Sequence, residues 1–109
     1  MVCSETLARR IHKHMNQIKG FKERKMFGGI CFLVHGNMAC GIIGEDLIVR
    51  VGKAAYEKEL VSAHARKFDI TGKVMTGWVM VSPEGHRSEE QLKAWLQKGI
   101  DFVRALPPK

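Results

Sequence analysis

The sequence predicts an α+β domain in which helices pack on one antiparallel sheet of about five strands. Short apolar runs separated by turn signals occupy the middle of the chain, and amphipathic helical patterns flank them. No parallel strand-helix-strand unit is visible. The expected element order is α-β-β-β-β-α-β-α. The 109 residues, 45% hydrophobic and 27% charged, fit a single domain spanning residues 1–109.

The first predicted helix begins at a capping serine. Ser4 precedes Glu5, and a serine at this position accepts a hydrogen bond from a free N–H group of the first turn. Apolar side chains recur at helical spacing and form one stripe, which consists of Leu7, Ile11, Met15 and Ile18. This stripe is expected to pack on the sheet, whereas Arg9, Arg10, Lys13 and Gln17 point away from it.

The central segment predicts an antiparallel meander. Phe21 to Met26 is expected to form a polar edge strand, and the run from Ile30 to Val34 a buried strand. Gly36-Asn37 predicts a two-residue type II′ turn, because glycine allows the positive φ of the first central position. The next two strands are expected from Met38 to Ile43 and from Leu47 to Val51.

The last part of the chain predicts a helix, one strand and a final helix. Lys53 to Ser62 favours a helix, Ala63 to Thr76 is expected to be irregular, and Trp78 to Val81 predicts a strand. Ser88 and Gln91 form a capping-box pattern. The final helix that follows has an apolar arc wide enough to cover one sheet face, and the arc consists of Leu92, Trp95, Leu96, Gly99, Ile100, Phe102, Val103 and Leu106.

The positive charge is concentrated near the N-terminus. The chain has 18 Lys and Arg against 11 Asp and Glu, a net charge of +7 that favours polyanions or acidic partners. One hypothesis is a nucleic-acid surface on the first helix and the following strand, with phosphate contacts from Arg9, Arg10, Lys13, Arg24 and Lys25. The alternative is the ordinary solvated face of a basic protein.

Signatures of a catalytic site are missing from the sequence. It contains neither a nucleophile elbow nor a phosphate-binding loop, and its paired acids lie at a turn and in a helix's first turn, where acids are common. The spacing of Cys31, His35 and Cys40 does not suit a zinc knuckle. We therefore expect no catalytic residues, no metal and no cofactor.

The cysteines are expected to be reduced and buried. The turn at Gly36-Asn37 would place Cys31 opposite Ile42 and Cys40 opposite Leu33, an arrangement poorly placed for a disulfide. The N-terminus turns polar at once, and no uncharged apolar run reaches the roughly 18 residues of a membrane span. A cytoplasmic protein without a membrane segment is therefore expected.

Several blocks of the sequence together resemble the TfoX N-terminal domain family. Their motif residues keep their order over nearly the whole chain and are Met26, Phe27, Gly28, Gly29, Gly36, Met38, Arg50, Gly72, Gly77 and Trp78. The resemblance implies an α+β fold similar to secretion-chaperone-like domains, no catalytic residues and often a homodimer. Full-length members of the TfoX (Sxy) type regulate natural competence genes and carry a second domain, so we expect a stand-alone N-terminal domain here.

Three functions follow as hypotheses. The first is a non-enzymatic regulatory or adaptor domain that binds a protein partner, such as transcription machinery, in the control of competence-type genes. The second is sequence-indifferent nucleic-acid binding through the N-terminal cations. The third is an enzyme that uses a cysteine thiolate. Arg50, a lone charge in an apolar strand, is expected to be functional, to be buried in an ion pair, or to face outward.

Overall fold

The computed structural model describes residues 4–26, 28–70 and 72–108. Its elements are α1 (Glu5–Met15), β1 (Phe21–Met26), β2 (Gly29–Val34), β3 (Asn37–Ile43), β4 (Asp46–Arg50), α2 (Lys53–Glu59), β5 (Ala65–Ile70), β6 (Lys73–Val81) and α3 (Glu89–Arg104), with one 3₁₀ turn at Pro83–Gly85. The strands form one antiparallel sheet in the order β1-β2-β3-β4-β6-β5. The predicted α+β class is confirmed.

The three helices pack on one face of the sheet. Every buried apolar side chain of α1, α2 and α3 belongs to one core cluster, together with alternate strand residues such as Phe32 and Val49. The predicted caps are confirmed, because Ser4 Oγ accepts a hydrogen bond from the Leu7 amide at 3.1 Å and Ser88 forms a capping box with Gln91. Within the described ranges, no helix is long and apolar enough to cross a bilayer.

The opposite side of the sheet is here called the open face. It is also apolar, but the buried side chains of the three helices pack on the other side. Its buried side chains lie outside the core cluster and are Cys31, Leu33, Ile48 and Phe68. Partly buried side chains surround them, namely Met38, Ile43, Trp78 and Met80. Lys22 and Arg24 pair with Leu33 and Cys31 in the ladder and therefore lie on the same face.

The structure contains a sixth strand where an irregular segment was predicted. Residues Ala65–Ile70 form β5, and β6 begins at Lys73 rather than near Trp78. The prediction for Ala63 to Thr76 was therefore wrong over most of its length. Four of the six β5 residues are polar or only weakly apolar, and the strand owes its conformation to its ladder with β6 at the sheet edge.

The β2–β3 turn lies one residue earlier than predicted. His35 and Gly36 are its central residues, with φ of 51° and 83°, so the turn has the two positive φ values of type I′ rather than type II′. Asn37 is instead the first residue of β3. Its buried side chain donates a hydrogen bond to the Pro107 carbonyl at 3.0 Å, which holds position 37 in the strand.

The cysteines lie on opposite faces of the sheet. A register shift between Phe32 and Leu33 makes Cys31 the partner of Gly41 and Cys40 the partner of Phe32, so the predicted pairing was wrong. A shift of one residue moves a side chain to the other face. Cys40 therefore lies in the helix-covered core and Cys31 on the open face, and both thiols are free and buried as expected.

Candidate functional site

The cations of α1 divide into exposed and bonded side chains. Arg9 and Lys13 are exposed and lie one helical turn apart. Arg10 turns instead toward the start of α3, where its Nε donates to Glu89 Oε1 at 2.7 Å and its Nη2 to the carbonyls of His86 and Arg87 at 3.0 and 3.1 Å. The guanidinium is thereby occupied, which leaves Arg9 and Lys13 as the phosphate candidates on α1.

Glu89 completes this contact between α1 and α3. Its second carboxylate oxygen lies 2.8 Å from His14 Nε2. The hydrogen bond from His14, followed by that from Arg10, holds the pKa of Glu89 below its ordinary value. The contact therefore ties the two helices together.

The strand cations do not join the α1 pair on one surface. Arg24 and Lys25 are both exposed, but neighbouring strand residues point to opposite faces. Arg24 lies on the open face with Cys31, whereas Lys25 points to the helix-covered side. The structure therefore brings together Arg9 and Lys13, but it does not bring together all five predicted residues.

A cleft at one end of the sheet is built around Arg50. This arginine ends β4 and pairs in the ladder with Trp78 of β6. Its Cζ lies 5.2 Å from the centre of the Trp78 ring and 5.3 Å from that of Phe102 on α3. Both distances are in the cation–π range. The cleft has a volume of about 300 Å³ and is lined by Arg50, Gly52, Lys53, Thr76, Gly77, Trp78 and Phe102.

Two glycines close the backbone around this cleft. Gly52 and Gly77 have φ of 85° and 96°, and the Gly77 carbonyl accepts hydrogen bonds from the amides of Val51 and Gly52 at 2.9 and 3.0 Å. A Cβ at Gly52 would lie within 2.6 Å of the Phe102 ring. Glycine at position 52 therefore lets Phe102 reach the strand end and contact Arg50.

The Arg50 guanidinium makes no hydrogen bond or ion pair with any residue that the structure describes. Within the described part of the chain, the half-buried arginine stacks on two rings, whereas Arg66 on the same sheet pairs with Asp46 at 2.9 Å. Stacking uses the face of a guanidinium and leaves its N–H groups free in the plane. Lys53 adds a second cation to the same cleft. The arrangement is suited to binding an anion.

Most of the other motif residues serve turns and close packing. Gly28, Gly36 and Gly72 have positive φ, and a Cβ at Gly29 would collide with the Ile42 carbonyl. Met38 lies over Gly41 on the open face. Phe27 and the Met26 side chain lie outside the described residues. Arg50, Gly77 and Trp78 are thus the motif residues that meet in the cleft.

The buried thiols are poor nucleophiles. Burial raises the pKa of Cys40 strongly, and the neighbouring Cys31 adds to the effect. Burial also raises the pKa of Cys31, although the charge of Arg24 opposes it. In the described part of the chain, no three His, Cys, Asp or Glu side chains are grouped closely enough to hold a metal ion.

Sequence reasoning singled out Arg50 but missed the residues that complete its surroundings. Phe102 was assigned to the apolar arc of the final helix, and Gly52 and Lys53 received no role. One signal was available, because Gly52 directly follows the predicted apolar strand from Leu47 to Val51, which contains Arg50. No periodicity in the sequence indicates that a ring 52 residues away reaches this arginine.

Together, fold and cleft define a small α+β domain with helices on one sheet face and a cationic, aromatic-walled cleft at the sheet's end. The chain belongs to the TfoX N-terminal domain family, whose model matches residues 13–103. All residues that line the Arg50 cleft fall inside the matched range, whereas Arg9 and Arg10 precede it. No match to a curated protein is found.

Proposed function

We propose that the chain is a non-enzymatic regulatory or adaptor domain that acts by binding a protein partner on its open face. The observation that carries this proposal is the apolar character of that face, which lies outside the helix-packed core. The apolar side chains that reach the surface of this face are the half-buried Met38, Ile43, Trp78 and Met80. An apolar surface patch of this kind is typical of protein interaction sites. Family membership supports a role in transcriptional control of the competence type.

The charges around the open face favour an acidic partner. Lys22 and Arg24 run along β1 on this face and are exposed. Arg66 contributes a further cation at the other edge, although Asp46 partly offsets it. The net charge of +7 adds a long-range attraction for acidic surfaces. A partner with apolar side chains flanked by acids would complement this surface.

The resemblance also implies a homodimer, which is the competing occupant of the same face. Two copies that meet through this face would bring their Lys22 and Arg24 side chains to one interface, and like charges oppose such contact. We therefore favour a different protein as the partner. The free cysteines fit a reducing compartment, which supports a cytoplasmic location.

Site-specific photo-crosslinking tests the proposal. The photoreactive residue p-benzoylphenylalanine replaces Met80 on the open face, and in a matched control it replaces Lys93, an exposed residue of α3. We expect position 80, but not position 93, to crosslink in cells to a component of the transcription machinery. Lys22→Glu together with Arg24→Glu should weaken that crosslink.

The other outcomes of this experiment contradict the proposal. An adduct with twice the mass of the chain, and no other, would show that the open face is a homodimer interface. Equal crosslinking from positions 80 and 93 would show that the face has no special role. If position 80 gave no adduct with any protein, docking on this face would be rejected.

Nucleic-acid binding is the second candidate, and the exposed pair Arg9 and Lys13 favours it. Arg9→Glu with Lys13→Glu should reduce DNA and RNA retention. The slope of the logarithm of the binding constant against the logarithm of the salt concentration should also become shallower, by the amount that about two phosphate contacts contribute. Lys93→Glu with Arg104→Glu makes the same change in net charge on α3 and serves as the control. Equal losses in both double variants would show that net charge alone is responsible.

A further inference from the structure

We propose that the Arg50 cleft binds a small ligand that carries one oxyanion, a carboxylate or a phosphate, on a flat apolar body. The Arg50 guanidinium would bind the oxyanion, Lys53 would supply a second charge, and the Trp78 and Phe102 rings would contact the apolar part. This inference does not rest on the proposed docking on the open face, because it concerns a small ligand in a cleft; Trp78 is the residue that the cleft shares with that face.

The first argument is the state of Arg50. Placing a half-buried guanidinium against two rings orients it and removes part of its hydration, yet no carboxylate or carbonyl of the described chain accepts from it. By contrast, Arg10 has four acceptors from the chain. An external oxyanion would supply the missing acceptors in the plane of the guanidinium, where two parallel hydrogen bonds form.

The second argument is the backbone that builds the cleft. Gly52 and Gly77 both adopt positive φ, and their hydrogen bond fixes the end of β4 against β6. This geometry keeps a cavity of about 300 Å³ open between the ring of Phe102 and the strand ends. The volume lies at the lower end of the range of small-molecule sites. A pre-formed cleft lowers the cost of ordering on binding.

The third argument concerns the chemistry of the walls. The cleft combines two cations with two aromatic side chains, and among the described residues no acidic side chain lines it. A bare inorganic anion would leave the apolar walls unused, and a neutral aromatic would leave Arg50 without an acceptor. A ligand with both parts satisfies both requirements.

Titrations followed by ¹⁵N–¹H NMR test this proposal. The probes are acetate, benzoate, inorganic phosphate and phenyl phosphate, which separate the anionic group from the apolar body. We expect saturable shifts of the Trp78 indole N–H and the Gly52 and Gly77 amides, with a dissociation constant of about 1 mM for the better aromatic probe. A comparison of the dissociation constants of benzoate and phenyl phosphate then identifies the preferred oxyanion.

Variants connect these shifts to the cleft. Arg50→Gln should weaken binding at least about tenfold, and Arg50→Lys should recover only part of it, because lysine lacks the planar pair of donors. Lys53→Gln should weaken binding about threefold through the loss of one exposed charge. Arg87→Gln is the control, since it removes an exposed arginine before α3. Amide dispersion of each variant shows whether it folds.

Several results would overturn the proposal. They are the absence of saturable shifts with all four probes, shifts that persist unchanged in Arg50→Gln, and equal weakening in Arg87→Gln. Tighter binding of acetate or inorganic phosphate than of their aromatic counterparts would also reject the apolar part of the site. If Arg50→Gln failed to fold, unchanged binding in both Arg50→Lys and Lys53→Gln would reject it.

Discussion

Arg10 and Arg50 are both half-buried arginines, but their surroundings are opposite in kind. Arg10 bonds to Glu89 and to three carbonyls before α3, so its N–H groups serve the contact between helices. Among the residues that the structure describes, Arg50 stacks on two aromatic rings and its N–H groups have no acceptor. An arginine that hydrogen-bonds to the chain ties two elements together, whereas an oriented arginine without an acceptor among the described residues is available to a ligand.

The largest effect is expected on the Arg50 side, where Gly52→Ala should lower the free energy of unfolding by about 2–4 kcal/mol. The new methyl group would adopt an unfavourable positive φ and displace the Phe102 ring. Gly72→Ala is the matched control, because Gly72 has φ of 79° but nothing within 4 Å of its Cβ position. Urea unfolding followed by circular dichroism measures both variants; equal losses would mean that Phe102 is not displaced.

The second prediction compares the two arginines directly. Arg10→Ala should lower the free energy of unfolding by about 2 kcal/mol, since Glu89 and the carbonyls before α3 lose their charged donor. Arg50→Ala should lower it by less than about 1 kcal/mol, because the interactions that the described residues make with its guanidinium are cation–π contacts. The same urea titration compares the variants. A larger loss for Arg50→Ala would show that Arg50 is mainly structural.

The smallest expected effect is the pH dependence contributed by Glu89. Its pKa is lower in the folded state, so its contribution is fully present above the ordinary glutamate pKa of about 4.3 and is lost as the pH falls through the lower folded value. Glu89→Gln should therefore be less stable than the wild type near neutral pH, and the difference should shrink below about pH 4.

Glu90→Gln is the control for this measurement, since neither Arg10 nor His14 hydrogen-bonds to Glu90 in the same helical turn. Urea unfolding over a series of pH values gives the difference from the wild type for each variant. A constant difference for Glu89→Gln across the acidic range would contradict the pKa assignment.

Much of the fold follows from local patterns in the sequence. Ser4 and the stripe that includes Ile11 predict α1, and Ser88 with Gln91 predicts the start of α3; both are confirmed. The strand β5 was missed because its charged residues carry no clear alternation, and its pairing with β6 is a long-range property. The turn lies one residue earlier than predicted, and Asn37 is a strand residue whose side chain bonds to Pro107, 70 residues further along the chain.

For the candidate site, the sequence indicated Arg50 as an unusual charge and placed Gly77 and Trp78 among the motif residues. It also proposed Arg10 as a phosphate contact, on the ground that its helix position points away from the apolar stripe. The structure shows why helical position alone was insufficient: the start of α3 packs beside this side chain and supplies its acceptors. Whether a side chain on the polar side of a helix stays exposed depends on which other element packs beside it.

The sequence alone determined the α+β class, the helix caps, the apolar stripes and the family, because these depend on spacing between residues close together in the chain. Tertiary structure alone decided which face of the sheet the helices cover and which arginine has a hydrogen-bond acceptor in the described part of the chain. It also brought Phe102 to Arg50. These outcomes depend on the register of strands and on contacts between distant segments, where a shift of one residue changes the face that a side chain occupies.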